Sequence, residues 1–145
     1  MLLLALIACS AHTRAVGMVA DDPPGIETAD GRRYRLTLNE DGAPLRYLHD
    51  CIVVVQGPRF GRRLLVKDWH VQDAGDGSGG FVGMLRDYGA RLVIEDRNTG
   101  TTLVIADEVA LQLRPWTGQP VLLIGHITGG NIVMPVAWRV LAPEG

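Results

Sequence analysis

Serine is almost missing from this chain of 145 residues: Ser10 and Ser78 are the only two. Neither stands in a Gly-x-Ser-x-Gly elbow, which excludes a hydrolase built on that nucleophile motif. Cysteine is equally scarce. Cys9 and Cys51 make no Cys-x-x-Cys spacing, so neither a zinc knuckle nor a dithiol redox centre is written here. The four histidines, His12, His49, His70 and His126, form no i, i+2 or i, i+4 pair, and no metal site is expected from them. His49 and Cys51 would share one side of an extended segment, a spacing that can orient a thiolate–imidazole pair. A buried cysteine beside an exposed turn histidine accounts for the same residues more simply. Asp96-x-Asn98-x-Gly100 has the opening spacing of a calcium loop but lacks the later glutamate, and a tight hairpin turn accounts for it. With no convergent acid–base or nucleophile set, no catalytic residue, cofactor or enzyme activity is expected.

An excess of one charge sign is missing too. Lys and Arg number 14 against 16 Asp and Glu, a net charge of -2, which gives no long-range pull toward nucleic acid or an anionic membrane. Single-strand binding needs a basic groove with aromatic platforms. Aromatics are only 6% of the chain, and Glu95, Asp96, Asp107 and Glu108 crowd the strands of its second half. Tyr34 with Arg32, Arg33 and Arg35 is a better cluster but stands isolated in the sequence. Nucleic acid is therefore not an expected partner.

What is present is a 47% hydrophobic fraction, typical of a globular chain, and a long repeat. Val16-Gly17-Met18 returns as Val82-Gly83-Met84, Asp30 as Asp96, Gly57 as Gly125, and Trp69-His70-Val71 as Trp138-Arg139-Val140. The offset stays between 66 and 69 residues, the drift expected when loops change length in a unit made twice. Each copy reads as β-rich. Tyr34–Leu38 alternates and Cys51–Val55 is a β-branched run, followed by Arg63–Val71 after a Gly57-Pro58…Gly61 turn. Gly83–Arg86, Arg91–Glu95, Thr101–Ala106, Pro120–Ile124 and Ile132–Leu141 are the strands of the second copy. Between its third and fourth strands, the acidic start Asp107-Glu108, apolar Val109, Leu111 and Leu113, and Pro115 beyond them predict one or two turns of helix. Leu45 occupies the place of Leu113 in the first copy.

Three strands, a short helical crossing and a two-stranded hairpin resemble the order of small bacterial OB-fold proteins, five-stranded Greek-key barrels. The shared features are Gly-x-hydrophobic in strand one, an Asp…Gly turn between strands two and three, and hydrophobic-x-Gly closing strand four. The fit is poor at Ala20–Ala29, where Asp22-Pro-Pro-Gly25 replaces much of strand two. The expected fold is all-β: two tandem five-stranded OB-like Greek-key barrels, either independent or packed into one unit. The expected divisions are a signal peptide at 1–8, a tether at 9–15, barrels at 16–72 and 81–142, and a Gly-rich linker at 73–80. Gly57, Gly125, Trp69 and Trp138 are the expected structural anchors. An exposed aromatic pair for a partner or glycan is the other use of the two tryptophans.

The first nine residues are apolar and end at Cys9, a run far short of the roughly 20 residues a spanning helix needs. Leu6-Ile7-Ala8-Cys9 resembles the lipobox of bacterial lipoproteins, although Met1–Ala8 has none of the Lys or Arg that family carries near its start. The resemblance implies cleavage before Cys9 and a lipid on its thiol. It also implies export with Ser10 favouring the periplasmic face of the outer membrane, which leaves Cys51 as a buried thiol. An apolar segment packed against the body is the alternative for the same residues.

The densest basic feature is the hairpin Pro58-Arg59-Phe60-Gly61-Arg62-Arg63, with Lys67 beyond it. Guanidinium forks pair with carboxylates and phosphates, so Arg59, Phe60, Arg62, Arg63 and Lys67 are candidates for gripping an anionic ligand or glycan. A solvated hairpin tip is the plainer account. The expected function is non-enzymatic: docking in an envelope protein complex, with anionic-ligand binding as the alternative.

Overall fold

β-Branched runs and period-two alternation become strands throughout the computed structural model, which describes residues 11–20, 24–75, 77 and 79–143. The expected signal peptide and Cys9 lie outside these residues. The chain divides into two units at Gly75/Asp76, within the expected linker.

In the first unit the strands are β1 (Ala11–Ala20), β2 (Gly25–Thr28), β3 (Arg33–Thr37), β4 (Ile52–Phe60), β5 (Arg63–Leu65) and β6 (Asp68–Asp73), with a 3₁₀ turn at Ala43–Tyr47. They pair in the order β1-β2-β3-β5-β4-β6, and β1 also pairs with β4, which closes the barrel. β3 and β5 run parallel, and the other pairings are antiparallel. Residues 11–15, expected as a tether, belong instead to β1. They pair with β4 from Ala11↔Arg59 to Ala15↔Val55, with Ala15 buried. Strand two survives the Pro-Pro segment as a four-residue piece beginning at Gly25, where the missing N–H of Pro24 no longer interrupts a ladder.

The second unit contains β7 (Phe81–Asp87), β8 (Leu92–Glu95), β9 (Thr102–Ile105), helix α1 (Asp107–Leu113), a 3₁₀ turn at Arg114–Trp116, β10 (Pro120–Gly129) and β11 (Ile132–Val140). It closes as β10-β11-β9-β8-β7 with β7 returning to β10. β9 and β11 run parallel. This is the strand order of the first unit, and the protein is two tandem OB-like barrels. No side chain caps α1 at Ala106. A helix this short is held by the face it buries, here Val109, Ala110 and Leu113 against the inward residues of the barrel. Leu45 and Leu113 are both fully buried.

The repeated residues meet the same surroundings in both barrels. A Cβ on Gly17 would lie 2.1 Å from the Glu27 carbonyl oxygen, and one on Gly83 would lie 1.8 Å from that of Glu95. Here the coiling first strand passes too close to the second for any side chain. Gly57 and Gly125 face the fifth strand in the same way, where an added Cβ would lie 1.7 Å from the Leu65 oxygen and 2.1 Å from the Met134 oxygen. In the first barrel that strand breaks opposite Gly57 into β5 and β6, and the Lys67 N–H donates to the Gln56 carbonyl at 2.8 Å. In the second it stays whole, with a bulge beside Gly125. Trp69 sits opposite Val55, two residues before Gly57, and Trp138 opposite Leu123, two before Gly125.

Candidate functional site

Register places one row of residues across the outer face of the first barrel. Ala20 opposes Gly25, Gly25 opposes Arg35, Arg35 opposes Arg63, and Arg63 opposes Phe60. Directly opposed residues share a face, and Tyr34 and Leu36 on either side of Arg35 are buried inward. The row is therefore small at one end, doubly cationic in the middle and aromatic at the other end, where Phe60 is 53% exposed. With Pro24, Tyr34, Arg33 and Arg62 it lines a cavity of about 620 Å³, within the range of small-ligand pockets.

Local chemistry holds each group. The link from Phe60 to Arg63 is two residues long, and Gly61 at φ 63° takes the left-handed first position of a tight hairpin. The Arg35 N–H donates to the Arg62 carbonyl at 2.8 Å, fixing hairpin to β3. Arg33 is paired with Glu27 at 3.2 Å, and Arg32 with Asp30 at 3.4 Å. Among the described residues Arg35, Arg62 and Arg63 form no ion pair. The phenol oxygen of Tyr34 accepts from Arg32 and Arg59 and is held below the ordinary phenol range, chiefly by the Arg32 bond.

Of the five residues singled out in and beyond the hairpin, Phe60, Arg62 and Arg63 line the cavity. Arg59 opposes the fully buried Leu64, so it points to the barrel mouth and acts on Tyr34 rather than on the outer face. Lys67 is exposed at the break between β5 and β6 and does not line the cavity. Trp69 is buried, with its indole N–H donating to the Asp41 carbonyl at 3.0 Å. Trp138 is half-buried against the second core. Gly57 and Gly125 sit at the close approaches described above. Cys51 is a buried cysteine ahead of β4, and His49 is exposed. Asp96 is buried and its carboxylate accepts from the Asn98 N–H and the Thr99 hydroxyl, the geometry of a turn.

Arg33, Tyr34 and Arg35 are the members that sequence reasoning left isolated. Their signal was visible as a cluster, but only the parallel pairing of β3 with β5 brings it beside the hairpin. The second barrel lacks the arrangement. Its inward pair Ile105–Val133 corresponds to Leu36–Leu64, all four buried, so the partners of Arg35 and Arg63 are Val104 and Ile132. A cavity of about 560 Å³ there has Val104, Ile132 and Met134 in its lining, with Asp107 and Glu108. No protein-family model, curated protein or solved structure matches the chain.

Proposed function

We propose that the protein is a non-enzymatic binding module whose first barrel takes an anionic ligand or glycan on its outer face. The observation that supports this is the row Arg35–Arg63–Phe60, which joins two cations that form no ion pair among the described residues to an exposed aromatic ring inside a ligand-sized cavity. Guanidinium forks supply charge and direction to such a ligand, and Phe60 supplies a surface for its sugar or apolar part. Protein docking in an envelope complex is the second reading. It draws on the second barrel, where Ile132 and Val136 are exposed and Met134 half-buried on the outward side of β11.

Chromatography on an anionic polysaccharide separates the two. Ligand binding predicts retention that weakens as salt rises and is lost in Arg62→Ala/Arg63→Ala. Docking predicts a co-purifying envelope complex that survives the same substitutions. Retention unchanged in the double variant would overturn the ligand reading. The export proposal rests on Leu6-Ile7-Ala8-Cys9; the docking reading depends on it and the ligand reading does not.

A further inference from the structure

Arg35 and Arg63 are Cα partners on adjacent parallel strands, about 4.8 Å apart at their bases. Like charges directly opposed on one face destabilise a sheet. The barrel itself does not need charge there, since the second copy carries Val104 and Ile132 at the corresponding positions. Neither arginine forms an ion pair among the described residues, and both line the cavity. A carboxylate is planar and carries a single negative charge, so it leaves one of two adjacent guanidinium charges uncompensated. A tetrahedral oxyanion presents several edges and can satisfy two forks at once. A phosphate monoester, at about −2 near neutral pH, also neutralises both charges, whereas a sulfate ester neutralises one.

We infer that Arg35 and Arg63 clamp a single tetrahedral oxyanion, the phosphoryl or sulfo group of a larger ligand, and that Phe60 at the end of the same row receives the ring or apolar part joined to it. This rests on the anionic-ligand reading of the face and narrows it to a class.

The test is thermal unfolding of the full chain in sodium phosphate, sodium sulfate and sodium acetate at equal ionic strength near neutral pH. Phosphate or sulfate should raise the Tm and acetate should not. A sugar phosphate compared with the matching sugar sulfate then identifies which group is preferred. In Arg35→Val/Arg63→Ile, which installs the residues of the second barrel, the anion-free Tm should equal or exceed that of the parent, and the anion-specific shift should vanish. Phenyl phosphate should bind about tenfold more tightly than inorganic phosphate, and Phe60→Ala should abolish that difference. Equal shifts in acetate and phosphate, or a phosphate shift that persists in the double variant, would overturn the clamp. Polysaccharide retention without a phosphate or sulfate shift overturns the clamp and leaves the broader ligand reading standing. A phosphate-specific shift without such retention upholds the clamp and limits the ligand to a small molecule.

Discussion

Tyr34 links the interior of the first barrel to its outer face, since its ring is buried and it also lines the cavity. Its phenol is lowered from 10.0 mainly by the hydrogen bond from Arg32, opposed by burial and assisted by Arg59. Because the folded value is depressed, the stability it contributes is present above the unfolded value and lost as pH falls through the folded one. Tyrosinate absorbance should therefore begin to rise at lower pH in the parent chain than in Tyr34→Phe. Coincident titration curves for the two chains would remove the paired guanidiniums from the account of this residue. Arg59 thus serves the cavity through Tyr34, by holding an acceptor in place at the barrel mouth.

Glycine spacing carries the architecture at the scale of single elements. Alanine at Gly17 or Gly83 would drive a Cβ into a carbonyl of the neighbouring strand, and such overpacking costs about 1–3 kcal/mol or more. Each substitution should lower the denaturant midpoint of its own barrel, and unchanged midpoints would show that the strands part without cost. The same scale explains what was legible beforehand. Short aliphatic runs such as Ile52–Val55 and Pro120–Ile124 declare strands by composition, and Asp107-Glu108 with Pro115 brackets α1. The break between β5 and β6 was not legible, because nothing in Arg63–Val71 marks it. Its cause stands on another strand, where Gly57 lets the Leu65 carbonyl approach. Likewise the hairpin arginines were legible as a local cluster, whereas Arg35 joins them only through a parallel, non-local pairing.

Across the whole chain, two barrels of one strand order carry different side chains at matched positions, arginines in the first and aliphatic residues in the second, where the cavity also has Arg91, Asp107 and Glu108 in its lining. The proposed binding therefore belongs to one copy, and the common residues serve the fold. The proposed diacylglyceryl group on Cys9 would hold the chain at a membrane surface, its paired acyl chains supplying the anchoring that a single chain gives only marginally. In a bacterial host that processes lipoproteins, the parent chain should gain the mass of the lipid and sediment with membranes, while Cys9→Ser should do neither. An unchanged mass and fractionation after that substitution would end the proposal.

The closing partner of the first strand adds a matter of timing. Gly17–Ala20 finds β2 within a few residues, but Ala11–Val16 has only β4 to pair with, and Ala11 meets Arg59. On a chain emerging from the ribosome, that half of the strand stays an open edge until nearly the whole first barrel has been made, since non-local pairings must wait for the intervening chain. During that interval the unpaired N–H and C=O groups of the segment remain open to pairing with another chain.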